Sequence, residues 1–142
     1  MSRPASRGPA LAPPSVTDSV LILVVERDPH VRKLERFFLE QAGFKVEFAD
    51  GGVEGLERAS ALKPRILVTE ILLPGLDGLS VCRAVRSDPA MNGTMLLVFS
   101  ILSAEQRALE AGADAFLKKP LDDARLVETV NELLRRGNEA QA

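Results

Sequence analysis

The sequence predicts an α/β fold in which a five-stranded parallel sheet carries helices on both faces, a doubly wound (βα)5 arrangement. Short runs rich in valine, leucine and isoleucine alternate with longer segments whose apolar residues recur at helical spacing. Two of these runs, 20–25 and 66–69, are apolar without alternation, which is typical of strands buried on both faces. Because strands that alternate with helices favour parallel pairing through crossover connections, we expect a single parallel sheet.

The first two strands and the helix between them follow from local signals. A strand is predicted over 20–25, and Asp28-Pro29 predicts the N-cap and first residue of a helix that Gly43 ends. The second strand is predicted over 44–48, where apolar and charged residues alternate as in a half-exposed edge strand. The inward positions of the first helix are predicted to be Val31, Leu34, Phe37 or Phe38, and Ala42.

The rest of the chain is divided by proline, glycine and aspartate. A second helix is predicted to stop before Pro64, with an inner face made of Val53, Leu56, Ala59 and Leu62. The last three strands are predicted over 66–69, 95–99 and 115–118. The helices after them are predicted to be one with Leu79, Cys82 and Val85 on one face, one over 103–111, and one from Asp122 or Asp123 to Gly137.

Length and composition predict one folded domain. The chain has 142 residues, of which 46% are hydrophobic, and this is enough for one domain with its own core. Residues 1–18 contain four prolines and mostly small residues, so a disordered tail is predicted there. The domain is predicted over 19–136, with a flexible end over 137–142.

Charge and the rare residue types limit the function. A net charge of −2 gives no general attraction to nucleic-acid phosphates, so no nucleic-acid partner is expected. The single cysteine, Cys82, excludes an intramolecular disulfide, and the single histidine, His30, cannot build a histidine metal site alone. The apolar run 20–25 is too short to span a bilayer. We therefore expect a cytoplasmic protein with no membrane partner.

Polar residues gather where the predicted strands end. In open parallel sheets, ligands bind beyond the carboxyl ends of the strands. Structural roles suffice for some of the residues there, since Asp28 is a natural helix cap and Ser100 a natural turn residue. Glu70 is different, because an ionised carboxylate at the end of a buried strand needs a charge partner or a ligand. The candidate site residues are Glu26-Arg27-Asp28, Glu70, Ser100 and Lys119-Pro120.

Four groups of residues occur along the chain in an order that characterises one family. They are Val24-Val25-Glu26, Asp28-Pro29, Pro74 with Asp77-Gly78, and the segment ALEAGADAFLKKP at 108–120. Together they resemble the response-regulator receiver domain of two-component signalling. The resemblance covers about residues 20–136 and implies the flavodoxin-like strand order 2-1-3-4-5.

The resemblance implies a role for each residue at the strand ends. In that family a histidine kinase phosphorylates an aspartate after the third strand, and Glu70 stands at that position. Two acids after the first strand help to hold Mg²⁺; the first matches Glu26 and the second falls on Arg27. The backbone carbonyl of Leu72 matches a further contact to the ion. The switching hydroxyl, the switching aromatic and the phosphate-pairing lysine with its cis bond to proline match Ser100, Phe116, Lys119 and Pro120.

Departures from the family pattern change the charge of this site. Glu26 and Glu70 supply two negative charges, while Arg27 and Lys119 supply two positive ones, so the inner pocket is neutral without a metal. Because Arg27 replaces an oxygen ligand by a cation, weak or absent Mg²⁺ binding is predicted and no cofactor is expected. Asp28 as a substitute acid is the minority interpretation. The segment between Ser100 and Phe116 is also shorter than is usual in the family.

The extra methylene of Glu70 suggests a second consequence. Its carboxylate reaches further than that of aspartate, towards the cations and the Ser100 hydroxyl. We therefore expect Glu70, with Arg27 and Lys119, to form a built-in substitute for the phosphate–metal–lysine cluster and to hold the fold in one state. The alternative is a degraded site whose fold persists for another purpose.

The leading prediction for function is a stand-alone pseudo-receiver that acts by protein–protein interaction, without phosphorylation or enzymatic activity. Its partner is expected to be a histidine kinase or a downstream signalling protein, or a second copy bound through the face of the fourth helix, fifth strand and fifth helix. A second interpretation is a phospho-accepting response regulator that uses Mg²⁺. A third, a flavodoxin-like nucleotide binder, is disfavoured because acids and a proline occupy the loop after the first strand.

Overall fold

Five parallel strands in the order β2-β1-β3-β4-β5 form the centre of the molecule. The computed structural model describes residues 20–141, so the tail predicted over 1–18 lies outside the described residues. The predicted fold class and strand order are confirmed. The strands are β1 (Leu21–Val25), β2 (Lys45–Ala49), β3 (Ile66–Thr69), β4 (Met95–Ser100) and β5 (Ala115–Lys118). The helices are α1 (Pro29–Gln41), α2 (Gly52–Leu62), α3 (Gly78–Arg86), α4 (Glu105–Glu110) and α5 (Asp123–Gln141).

Two apolar cores lie on opposite faces of the sheet, because successive side chains of a strand point to opposite sides. Leu23 and Val25 of β1 face the core that contains buried residues of α2, α3 and α4. Ile22 and Val24 face the core that contains buried residues of α1 and α5. β1, β3 and β4 are therefore buried on both faces, as the sequence predicts for the runs 20–25 and 66–69 that form β1 and β3.

Helix α1 starts where the sequence predicts, but its inner face differs. The Asp28 side chain caps it and accepts hydrogen bonds from the backbone N–H groups of His30 and Val31. Phe37 is 58% exposed, whereas Glu35 is only 1% exposed. Glu35 lies four residues before the buried Leu39, so it occupies the core-facing stripe of the helix. An acid therefore takes a position that the spacing reserves for an apolar side chain.

Helix α2 packs through its small residues and through only part of the predicted apolar face, namely Leu56 and Ala59. Val53 is 57% exposed and Leu62 is also exposed, while Gly52, Gly55 and Ala59 are buried. A Cβ atom at Gly52 would lie 2.1 Å from the carbonyl oxygen of Leu76. The close approach to this backbone excludes larger side chains, so the helix turns its glycine face inward.

Helix α5 continues past Gly137 and reaches Gln141, so the prediction that the helix ends at this glycine is wrong. Gly137 is buried, and a Cβ atom there would make only ordinary contact with Met95. One turn of added helix is supported by side-chain bonds, in which Arg65 donates to Asn138 at 2.5 Å and Arg135 lies 3.5 Å from Glu139. Of the helices in residues 20–141, none combines the length and the apolar character that crossing a membrane requires.

The segments around α3 and α4 show smaller differences. A single 3-10 turn, Pro89–Met91, follows α3 and was not predicted; the Asp88 side chain caps it by accepting from the Ala90 N–H at 2.9 Å. Helix α4 is shorter than the predicted 103–111, and no side chain caps its N-terminus at Ala104. The chain therefore turns from β4 into β5 over a short helix.

Candidate functional site

Four polar side chains meet at the carboxyl edge of the sheet. Glu26 follows β1, Glu70 follows β3, Ser100 ends β4 and Lys119 follows β5. Glu26, Glu70 and Ser100 are buried and Lys119 is nearly so. The strand order changes direction between β1 and β3, which is where open α/β sheets form their ligand crevice. The structure thus brings together the side chains of four of the seven residues that the strand-end argument selects.

Lys119 is the centre of this cluster. Its Nζ lies 2.7 Å from Oε1 of Glu26 and 2.9 Å from Oε1 of Glu70, so one cation serves two carboxylates. The same Nζ lies 5.5 Å from the centroid of the Phe99 ring, within the range of a cation–π contact. Burial by itself lowers the pKa of Lys119, but the hydrogen bonds to Glu26 and Glu70 outweigh burial and raise it. Lys119 is therefore charged at neutral pH.

The carboxylate of Glu70 accepts hydrogen bonds from five donors. Oε1 accepts from Lys119 and from the Ile101 N–H at 3.2 Å. Oε2 accepts from the Ser100 hydroxyl, the Ile71 N–H at 2.5 Å and the Leu72 N–H at 3.1 Å. A carboxylate offers about four lone-pair sites, so these donors use its full capacity.

The donors around Glu70 also determine its charge. Burial by itself raises the pKa of Glu70, but the hydrogen bonds from Ser100, Lys119 and the Leu72 backbone outweigh burial and hold the pKa below its usual value of 4.5. Glu70 is therefore an anion at neutral pH although only 5% of its surface is exposed.

A glycine lets α3 approach Glu70. A Cβ atom at Gly78 would lie 2.0 Å from the carbonyl oxygen of Glu70, so no other residue fits without a backbone shift. The Gly78 N–H donates to the carbonyl of Ile71 at 2.9 Å. Asp77 caps the helix by accepting from the Ser80 N–H, and this bond lowers the pKa of Asp77. The Asp77-Gly78 motif therefore acts through the backbone that carries Glu70.

Arg27 does not join the cluster, which corrects the expected three-residue arrangement of Glu70, Arg27 and Lys119. Its side chain is exposed, and it takes part in neither ion pair of the site. Neighbouring residues of an extended chain point in opposite directions, so the inward position of Glu26 turns Arg27 outward. Asp28 is held in its helix cap, with the His30 N–H at 2.9 Å.

The remaining predicted residues surround the cluster. Phe116 lies in β5, is half-buried and packs against the core beneath α2, α3 and α4. The peptide bond between Lys119 and Pro120 is cis, as the resemblance implies. Leu72 contributes its N–H to Glu70, while its side chain is exposed. Ile101, directly after Ser100, is exposed in the same way.

These residues border a cleft of about 480 Å³. Glu26, Glu70 and Lys119 line it, and Leu72, Ile101 and Leu121 add apolar surface to it. The site therefore combines an internally paired charge cluster with exposed apolar side chains.

Sequence reasoning missed Glu35, a fourth buried charged residue near this site. Its Oε1 has no hydrogen-bond partner among the described residues. Burial is the largest cause that raises its pKa from 4.5 to about 8, and the negative charge of Glu26 contributes in the same direction. The signal in the sequence is an acid four residues after Val31 and four before Leu39, on an otherwise apolar stripe.

Comparisons with known proteins agree with this architecture. The family model described as the response regulator receiver domain matches residues 22–131. The chain is 37% identical over 121 residues to the transcriptional regulatory protein CseB of Streptomyces coelicolor, covering 85% of this chain and 52% of that protein. It is 33% identical over 118 residues to the DNA-binding dual master transcriptional regulator RpaA of a Synechocystis species, covering 81% of this chain and 49% of that protein.

These relatives correct one prediction. The expectation of no nucleic-acid partner conflicts with relatives described as transcriptional regulators, one of them as DNA-binding. The chain spans about half the length of the curated relatives it matches. The net charge of one domain is a property of that domain, so it does not exclude a partner that a longer relative binds.

A solved structure supports the family at the level of the fold. The signal receiver domain of a signal transduction histidine kinase from Syntrophus aciditrophicus superposes with a TM-score of 0.76 and 31% identity, covering 82% of this chain and 91% of that one. Sequence, strand order and the polar cluster at the strand ends lead to the same assignment. The chain belongs to the response regulator receiver domain family of two-component signalling.

Proposed function

We propose that this receiver domain signals without phosphorylation, through protein contacts at the cleft, and that the Glu70–Lys119 ion pair takes the place of a phosphorylated residue. The observation that carries the proposal is the contact of 2.9 Å between Lys119 Nζ and Glu70 Oε1. In the family that the sequence resembles, the equivalent lysine pairs with the phosphoryl group. Here a carboxylate of the chain itself already occupies that lysine.

The hydrogen bonds of Glu70 argue against its use as a nucleophile. Attack on a phosphoryl donor needs a carboxylate oxygen with a free lone pair in line with the leaving group. Both oxygens of Glu70 are occupied by donors, and the lowered pKa shows that the anion is stabilised in place. Phosphoryl transfer would have to break several of these bonds in a buried site.

The donor set at the strand ends does not fit a divalent cation. Mg²⁺ requires oxygen ligands in a near-octahedral shell. Both Glu26 and Glu70 are instead bonded to the ammonium group of Lys119, and Arg27 stands where the family has its second acid. A metal bound between these carboxylates would compete with Lys119 for Oε1 of both.

The exposed apolar side chains support an output through protein contacts. Leu72 and Ile101 come from the two loops whose N–H groups hold Glu70, and both side chains are exposed at the cleft. A movement of the Glu70 carboxylate would therefore weaken hydrogen bonds that hold the loops carrying these side chains. A partner that covers them would detect the state of the ion pair.

Intact mass spectrometry after incubation with acetyl phosphate and Mg²⁺ tests the proposal. We expect no added phosphoryl group on the wild-type protein. The matched control is Glu70→Gln, which keeps the side-chain length but lacks the nucleophile. A gain of one phosphoryl group in the wild type that disappears in Glu70→Gln would show that the protein is instead a phospho-accepting regulator.

A restored site provides the positive control. The double variant Glu70→Asp, Arg27→Asp shortens the acceptor and returns an acid to the second position. We expect this variant, and not the wild type, to bind Mg²⁺ in a calorimetric titration and to gain a phosphoryl group. Equal Mg²⁺ affinity in the two proteins would contradict the role assigned to these two positions.

A further inference from the structure

Glu35 is the most deeply buried charged residue whose position the proposed function leaves unexplained. It lies in α1 with 1% of its surface exposed, and its Oε1 has no hydrogen-bond partner among the described residues. Buried polar atoms are nearly always paired, and an unpaired one calls for an explanation. An unpaired ionised carboxylate is costlier still, so a group of this kind takes up a proton instead.

Helix α1, which carries Glu35, forms one wall of the cleft, because Val31 and Leu34 line it together with Glu26, Glu70 and Lys119. Burial is the largest cause that raises the pKa of Glu35 to about 8, and the negative charges of Glu26 and Glu70 contribute in the same direction. The cations Lys119 and Arg32 lower the pKa. Helix α1 also packs against β2 and α5, which supply none of these four charges. Three of the four groups are therefore the members of the ion-pair cluster.

We propose that Glu35 is a buried proton-binding site coupled to the ion pairs of Lys119, so that the state of the cleft depends on pH. With the proton bound, Glu35 is neutral and Lys119 is shared by Glu26 and Glu70 alone. When the carboxyl group releases its proton to solvent, a third negative charge acts on Lys119. The new charge repels Glu26 and Glu70 and competes with them for the same cation.

The coupling must be reciprocal. A change at the cleft that weakens the negative charge of Glu26 or Glu70 favours loss of the proton from Glu35, and loss of that proton must alter the cleft by the same free energy. Because the Ile101 N–H donates to Glu70, its environment reports on this change directly. The inference does not require the protein to work without phosphorylation, because the proton site lies in the core and not at the acceptor.

The first measurement is an NMR titration of the glutamate side-chain carboxyl carbons between pH 4 and pH 10. One carboxyl group is expected to titrate near pH 8 in the wild type and to be missing from Glu35→Gln, which keeps the shape of the protonated side chain. Glu40→Gln is the matched control, because Glu40 is exposed on the same helix. A Glu35 midpoint near 4.5 would overturn the proposal.

The second measurement tests the coupling and uses the wild type itself. The amide signals of Ile101 and Leu72 are expected to shift with the Glu35 midpoint, and this step is expected to be absent in Glu35→Gln. In Glu70→Gln, loss of one negative charge is expected to move the Glu35 midpoint downward. The coupling would be contradicted if the amide signals did not shift with the Glu35 titration, or if the Glu35 midpoint were unchanged in Glu70→Gln. Either result would mean that Glu35 is an isolated carboxyl group in the core.

Discussion

Glu70 and Glu35 are both buried glutamates, yet their surroundings shift their pKa values in opposite directions. Glu70 receives five hydrogen bonds and its pKa is lowered. Glu35 has a pKa of about 8, and its Oε1 has no hydrogen-bond partner in the part of the chain that the structure describes. Glu70 has 5% of its surface exposed and Glu35 has 1%. Burial alone therefore does not decide the charge of a carboxyl group; the donors that meet it do.

The difference has a topological origin. Glu70 stands where a strand ends, and backbone N–H groups of the loops after β3 and β4 are free to donate to it. Glu35 stands in the middle of a helix, where the backbone N–H groups bond within the helix itself. The same residue type is thus an ion pair partner at the sheet edge and a proton-binding group in the core.

The largest expected effect comes from removing the carboxylate of Glu70, which accepts more hydrogen bonds than that of Glu35. Glu70→Leu leaves Ser100 and three loop N–H groups without this acceptor and leaves Lys119 with Glu26 as its one carboxylate partner in the site. We expect the free energy of unfolding to fall by about 3 kcal/mol at pH 7. Because the folded-state pKa of Glu70 is lowered, its contribution is present above pH 4.5 and is lost as the pH falls through the folded-state pKa.

Urea denaturation at pH 7 and at progressively lower pH measures this contribution. The difference in unfolding free energy between wild type and Glu70→Leu is expected to shrink in acid. A difference that does not depend on pH would show that Glu70 contributes packing and not charge.

The next effect has the opposite sign. Glu35→Leu removes a carboxyl group whose Oε1 has no hydrogen-bond partner within residues 20–141 and fills the same space with carbon. We therefore expect it to stabilise the protein by about 2 kcal/mol at pH 8 to 9. The folded protein keeps the Glu35 proton that the unfolded chain releases above its ordinary pKa of 4.5. Wild-type stability therefore falls as the pH rises from 4.5 through about 8.

Unfolding experiments across that pH window check the sign. The advantage of Glu35→Leu is expected to grow from pH 4.5 to pH 8 and then to level off. Glu40→Leu serves as the exposed control on the same helix and should show no such trend. An advantage of Glu35→Leu that stays constant between pH 4.5 and 9 would mean that Glu35 has no raised pKa.

The smallest expected effect concerns the two cations of the predicted cluster. Arg27→Ala is expected to change the unfolding free energy by less than about 0.5 kcal/mol, because Arg27 is exposed and takes no part in the ion pairs. Lys119→Ala, measured in parallel, should be clearly destabilising since it leaves Glu26 and Glu70 facing each other. Equal losses of unfolding free energy in the two variants would indicate that Arg27 is a member of the cluster after all.

The sequence by itself determined the order of the elements and the place of the site. Unbroken apolar runs marked the strands buried on both faces, and Asp28 and Gly43 marked the ends of α1. The carboxyl ends of parallel strands meet at one edge of the sheet, so Glu26, Glu70, Ser100 and Lys119 had to meet there. These signals are local or topological, and that is why they can be recognised without coordinates.

The tertiary structure decided which side chains pair. In the folded chain Arg27 is exposed, Lys119 pairs with two carboxylates, and Glu35 lies in the core with one oxygen that has no partner among residues 20–141. The tertiary structure also turned the glycine face of α2 inward and carried α5 past Gly137. Periodicity states which stripe of a helix is apolar on average, but pairing and close approach depend on the atoms of neighbouring elements, and only the folded chain brings those atoms together.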